Sequence, residues 1–224
     1  MRYGVIFLFI FIIAANAYST TDFMAGIGYD IVPEKSFDIF SNDDWLFGPS
    51  LRLEQNLIYD KEIYLNLLFS SNSASNKIFD NIKTEYSIFY ISSGVSYRYK
   101  TIKDILSLYG GLNFVYGISD IKFVESIISY SDSAHTYGIA LYSGFRINLP
   151  TTLFRSEGWT KQHWHELVTI GLDTQLGYRF LNSLSYEELK NSDYKVEVSK
   201  QFDTKIGEIN ISGPYIISSI VFVF

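Results

Sequence analysis

The segment YIISSIVFVF, residues 215–224, puts Ile216, Ser218, Ile220, Phe222 and Phe224 at every second position. A period of two marks a β-strand with one apolar face. No charge or turn residue interrupts it. Left at a sheet edge, such a strand offers unpaired backbone groups to any other chain and invites aggregation. Sealed into a closed wall, it has no free edge. The segment therefore points to a barrel, and the rest of the chain can be tested against that expectation.

Seven earlier segments alternate in the same way. In the first, Phe23, Ala25, Ile27, Tyr29 and Ile31 oppose Met24, Gly26, Gly28 and Asp30. The second, from about Phe47 to Tyr59, sets Leu51, Leu53 and Leu57 against Arg52, Glu54 and Asn56. Ile63, Leu65, Leu67 and Phe69 mark the third. The fourth opposes Phe89, Ile91, Val95, Tyr97 and Tyr99 to Ser92, Gly94, Ser96 and Arg98. The fifth runs over Leu106–Ile118, the sixth over Tyr137–Leu149 and the seventh over Val168–Phe180. Each is about as long as a tilted strand needs to cross a bilayer, roughly 9–11 residues. Pro49 cannot donate a ladder hydrogen bond, so it is expected at a strand start or a bulge.

Connection lengths give an independent sign. Residues 33–45, 71–85, 119–135 and 182–213 read as long polar loops, whereas residues 60–61 and 101–104 read as tight turns. Short turns at one end and long loops at the other are the habit of membrane barrels. Residues 150–166, PTTLFRSEGWTKQHWHE, break the rule by placing a long connection at the short-turn end. Two further stretches, 195–202 and 205–211, could add wall strands and raise the count from eight to ten. Their charge and short length favour a hairpin that extends the last two wall strands.

Export is expected from the N-terminus. Arg2 precedes the apolar run GVIFLFIFIIAA, and Ala15-Asn16-Ala17 is a small-x-small cleavage site. The run is too short for a spanning helix, which needs about 20 apolar residues. Residues 1–17 thus read as a signal peptide and 18–224 as one barrel domain. The chain has no cysteine, which excludes disulfides and thiolate chemistry. Its net charge of −6 argues against a nucleic-acid partner. Aromatics at 17% suit a chain that sets rings at membrane–water boundaries.

In its alternation, its loop lengths and its ending on Ile216, Ile220, Phe222 and Phe224, the chain resembles small bacterial outer-membrane β-barrels. The transmembrane domain of outer-membrane protein A and the opacity-type proteins are examples. The resemblance is one of pattern over the mature chain. It implies an all-β fold, a closed antiparallel up-and-down transmembrane barrel of eight strands. It also implies the bacterial outer membrane as address, and its lipid bilayer and the barrel-insertion machinery as partners. The terminal strand is the segment that machinery reads in this family. No catalytic residue or cofactor is carried over, and none is expected here.

Several polar-face residues are charged: Asp30, Arg52, Glu54, Arg98, Arg146, Asp173 and Arg179. Lone charges in a narrow interior are costly, so they are expected to pair across it and plug it. Passage of small solutes is the alternative function. The leading function is structural, with loops at Phe37–Asp44, Asn72–Lys83, Val124–Ser133 and Glu187–Lys205 making host or other extracellular contacts. His163 and His165, beside Glu166, share a face as metal ligands would, but no third ligand is apparent, and a boundary cluster of aromatic and polar groups is expected instead. A lipocalin-like barrel would need the reverse arrangement, apolar inward and polar outward.

Overall fold

The computed structural model of the chain describes residues 21–58, 61–78, 82–102, 105–125, 128–149, 169–186, 190–191 and 207–223. The expected signal peptide, Phe224, residues 150–166 with their histidine pair and most of residues 187–205 lie outside the described residues.

Eight strands make the wall. They are β1 (Thr21–Ile31), β2 (Trp45–Ile58), β3 (Lys61–Ile78), β4 (Ile82–Ile102), β5 (Leu106–Glu125), β6 (Ile128–Asn148), β7 (Thr169–Leu181) and, after three short strands, β11 (Gly213–Val223). Each pairs antiparallel with the next, and β11 pairs with both β7 and β1. Register across the seam runs from Asp22 opposite Val223 to Asp30 opposite Tyr215. The sheet is therefore closed and has eight strands. The three short strands are β8 (Leu184–Tyr186), β9 (Lys190–Asn191) and β10 (Gly207–Ile209). β8 and β10 pair above β7 and β11, as a hairpin extension of those two wall strands would.

Wall height is uneven. β1 and β11 have 11 residues each, while β4 and β6 have 21. Residues 71–78 are strand, not loop: the β3–β4 ladder continues unbroken to Ile78 opposite Ile82. Likewise β5 and β6 stay paired from Leu106 opposite Ile147 up to Glu125 opposite Ile128. Two of the expected long loops are thus tall hairpins. The serines and asparagines that suggested a loop are tolerated because each strand there is held by its partner's backbone.

Pro49 corrects a second expectation, since it sits inside β2. On one side it lies opposite Ile27 of β1. On the other the β2–β3 ladder passes from Phe47–Ser73 to Ser50–Ser70 without pairing Gly48 or Pro49, and with no change of register. The missing N–H is accommodated by a gap in the ladder, and no bulge is needed.

Candidate functional site

The lower interior is filled by charge. Six side chains from five strands converge: Asp22 of β1, Arg52 and Glu54 of β2, Arg98 of β4, Arg146 of β6 and Asp173 of β7. Period-two alternation aims all six inward. Arg98 bonds Glu54 at 2.6 Å and Asp22 at 2.9 Å. Arg146 reaches Glu54 at 2.9 Å and Asp173 at 3.2 Å, and also pairs with Asp22. Arg52 meets Asp173 at 2.5 Å. Three guanidinium groups face three carboxylates, so the cluster is neutral while every member is buried. Tyr109 donates to Asp173 at 2.7 Å, and the Arg98 guanidinium lies 3.9 Å from the Tyr64 ring centroid.

A second tier sits above it. Arg179 pairs with Asp30, and Asn72 donates to the same carboxylate at 2.6 Å. The Arg179 guanidinium lies between the rings of Tyr215, at 4.1 Å, and Tyr90, at 4.4 Å. Gln175 links the tiers, bonding Arg52 on one side and donating to the Tyr215 hydroxyl at 2.7 Å on the other. Gly177 makes room for this stack: a Cβ there would come within 2.6 Å of the Tyr215 ring. An eight-stranded wall encloses a space about as wide as side chains can fill, and these side chains fill it.

The mouth is closed by different chemistry. Between β1 and β2 a 3-10 helix, Lys35–Ile39, turns back into the barrel. Phe37 and Phe40 are fully buried there. Phe37 meets Tyr86 edge-on at 5.0 Å, and Phe40 packs on Tyr86 at 5.5 Å and Phe123 at 5.6 Å. The Thr84 hydroxyl donates to the Ile39 carbonyl at 2.6 Å, which ties the helix to the wall. Leu184, Tyr186 and Ile209 of the short strands complete the apolar cluster. Burial pushes the Tyr186 hydroxyl up to about 12, so it stays a neutral phenol, 2.7 Å from the Ser119 hydroxyl. The expectation that Phe37 serves as a surface contact is thereby corrected. Each phenylalanine gains about 1.5–3 kcal/mol by leaving water, which fixes the loop inward.

Outside, the polarity runs the other way. Following cross-strand neighbours from β4 to β6, the outward residues are Tyr99, Leu108 and Phe145; then Val95, Leu112 and Leu141; then Ile91, Tyr116 and Tyr137. Phe114 is 70% exposed and Ile220 49%. On β5 this apolar belt extends from Leu108 to Ile118. At about 3.4 Å per residue and a tilt of about 40° that is a height of about 25 Å, the apolar thickness of a membrane barrel. Above it the outward positions turn polar: Ser87, Asp120 and Ser133, then Glu85, Lys122 and Ser131. The inward positions at that height turn apolar, with Tyr86, Ile88 and Ile121 buried. Inside and outside exchange character at the level of Phe89. His135 sits on this line, its ring stacked on Tyr116 with the phenol oxygen 2.9 Å from Nδ1.

All seven sequence-expected interior charges are buried in these two tiers. Sequence reading missed Asp22 and Asn72, and it assigned no part to Tyr109 and Gln175. Asp22 shares the parity of Met24 and Asp30 and lies one residue before the expected strand start, so parity was the available signal. Of the expected terminal-strand residues, Ile216, Ile220 and Phe222 lie on the outward face of β11, alternating with buried Tyr215, Ile217 and Val221. Among the described residues no group of histidine, aspartate and glutamate is arranged to hold a metal ion.

No family model and no curated protein sequence matches the chain. Solved structures do. The chain is similar to Ail, the attachment invasion locus protein of Yersinia pestis, crystallised with the heparin analogue sucrose octasulfate. Identity is 15%, the match covers 92% of this chain and 99% of that one, and the TM-score is 0.51. A major outer membrane protein from Thermus thermophilus matches with 10% identity over 91% and 99% of the two chains, at a TM-score of 0.50. The likeness is one of fold: the chain has the architecture of small bacterial outer-membrane barrels.

Proposed function

We propose that this chain is an integral outer-membrane protein that acts as a closed surface scaffold and lets no solute through. The observation that carries this reading is the exchange of polarity at Phe89. Below it the barrel shows hydrocarbon-compatible side chains outward over about 25 Å; above it the outer face suits water. On this reading residues 1–17 are removed after Ala17, and Ile216, Ile220, Phe222 and Phe224 present the strand that the insertion machinery engages. The tall β3–β6 hairpins stand outside the cell and are the contact surface. No catalytic step enters.

Two tiers of interior ion pairs and an apolar mouth support closure over conduction. Broken pairs would leave charges unpaired in a narrow space, so the tiers resist opening. A sulfated polyanion of the kind bound to Ail is not the favoured contact here. The described outer segments set Glu34, Asp38, Asp43, Asp44, Glu85, Asp120, Glu125 and Asp132 against Lys35, Lys77, Lys83 and Lys122, and the whole chain has a net charge of −6.

Folding into phospholipid vesicles tests the membrane claim. The folded chain is expected to resist carbonate extraction and to migrate differently on a detergent gel before and after boiling. Planar-bilayer recording tests closure. A silent trace is expected, and steady single-channel steps would overturn the closed scaffold in favour of a narrow passage.

A further inference from the structure

One thioether stands inside the lower ion cluster. The Met24 sulfur accepts from Arg52 Nε at 3.0 Å and Nη2 at 2.8 Å, and from Arg146 Nη2 at 3.2 Å. Met24 is fully buried. A thioether is a weak acceptor, so three guanidinium N–H groups gain less from it than from a carboxylate. What it offers instead is chemistry, because it takes up one oxygen atom reversibly. Apart from Met1, Met24 is the chain's only methionine, and the chain has no cysteine. Reversible oxidation at sulfur is therefore confined to this position.

Geometry decides what an added oxygen would do. The guanidinium groups occupy the directions in which sulfur has its lone pairs, and the oxygen would stand along one of them. An N–H···O bond needs about 2.9 Å between nitrogen and oxygen, which is nearly the whole of the present nitrogen–sulfur distance. One guanidinium must then withdraw by roughly the length of a sulfur–oxygen bond. Neither is free to do so. Arg52 is held by Asp173 at 2.5 Å and by Gln175. Arg146 is held by Glu54 at 2.9 Å, by Asp173 at 3.2 Å and by Asp22. Withdrawal breaks buried pairs and strands their charges. A Met24 sulfoxide and the closed lower tier exclude each other.

Access decides when oxidation can happen. Met24 lies on β1, opposite Arg52 of β2 on one side and Val221 of β11 on the other. Once β11 has joined β1, water does not reach the sulfur; before that, the inward face of β1 is open to it. We infer that Met24 is an oxidation site that acts on the unassembled chain alone, so that a peroxide met in transit holds the chain out of the barrel until the sulfur is reduced. In that step a sulfur lone pair attacks one oxygen of hydrogen peroxide. The O–O bond breaks, an S–O bond forms and water leaves, with sulfur oxidised by two electrons and the peroxide reduced. A methionine sulfoxide reductase reverses it, a thiol supplying the two electrons and the oxygen departing as water. The assembled barrel is immune. This rests on the membrane reading proposed above, since closure is taken to occur at a bilayer.

The test unfolds the mature chain in urea, treats half of it with hydrogen peroxide, and locates the added oxygen by peptide mass mapping. Both halves are then folded into phospholipid vesicles and scored by the heat-modified band. The oxidised half is expected to fold with a yield lower by about tenfold or more. Treating the oxidised unfolded chain with methionine sulfoxide reductases A and B and dithiothreitol should restore the yield. Met24→Leu should fold equally well with and without peroxide. If that variant does not fold at all, the loss and its rescue in the native chain carry the test alone. Peroxide added after folding should leave Met24 without oxygen. Equal yields from the oxidised and untreated native chain overturn the site. So does a loss of yield that Met24→Leu shares, which would mean damage elsewhere, and so does oxidation of the folded chain as fast as of the unfolded one. Absence of the heat-modified band from every sample, untreated native chain included, would instead sink the membrane reading, and this site with it.

Discussion

The lower and upper halves of this barrel solve the same packing problem with opposite materials. Below Phe89 the interior is held by Asp22, Arg52, Glu54, Arg98, Arg146 and Asp173, and the exterior is apolar. Above it the interior is held by Phe37, Phe40, Tyr86 and Ile121, and the exterior is serine, lysine and carboxylate. One continuous β4–β5 ladder runs through both, with register unshifted from Ile82 to Lys100. The wall does not turn over at the boundary; the sequence changes which face is greasy. A strand takes its polarity from the solvent on each side, and here that solvent changes partway along.

The comparison is broken most directly in the lower half. Arg146→Leu leaves Asp22, Glu54 and Asp173 short of a partner, and removing one member of a buried pair costs about 3–5 kcal/mol. Urea unfolding in vesicles should show that loss, and a shift under about 1 kcal/mol would mean the cluster does not hold the lower half. In the upper half Phe40→Ala should cost about 3 kcal/mol, but locally. Hydrogen exchange should speed up at the Val32 amide, which donates to the Asp44 carbonyl at 2.9 Å, while planar-bilayer traces stay silent because the ion tiers remain.

A matched pair of carboxylates sharpens the boundary itself. Ile220→Asp places a charge on the belt and should cost about 2–3 kcal/mol of membrane stability. Ser131→Asp places the same charge outward above Phe89, opposite Lys122 in the β5–β6 ladder, and should stay within about 0.5 kcal/mol. Equal effects would erase the boundary. The smallest effect is expected at the exposed Lys83–Glu85 pair, where Lys83→Ala should change stability by no more than about 0.5 kcal/mol and only at low salt.

Much of this was legible in the sequence. Wall strands follow from alternation, because a closed sheet between two different solvents enforces a period of two. Inward charges follow from the same parity. The tall hairpins were legible too, yet read as loops. In β4 the apolar residues are even-numbered at Ile82, Tyr86 and Ile88, and after Phe89 the odd positions Ile91, Val95, Tyr97 and Tyr99 take over, with inward Tyr90 the exception within the belt. That switch of parity marks the boundary, but serine and asparagine in the neighbouring β3 segment masked it. Partner choice was not legible: Arg146 and Asp22 meet only because strands remote in sequence close into a ring. Nor was the mouth. Phe37 and Phe40 sit in a segment without period, and their burial depends on β4 and β5, which supply Tyr86 and Phe123.

The seam between β1 and β11 has a kinetic consequence. Asp22 and Val223 become neighbours at the greatest sequence separation of any cross-strand pair among the described residues. Contacts of that kind form last, because the intervening chain loses its freedom before they repay it. Until they form, the wall is a curled ribbon with two raw borders, and its arginines and aspartates are only partly enclosed. The final zipping of one border onto the other is therefore the step at which an assembling molecule is most exposed to misjoining with its neighbours.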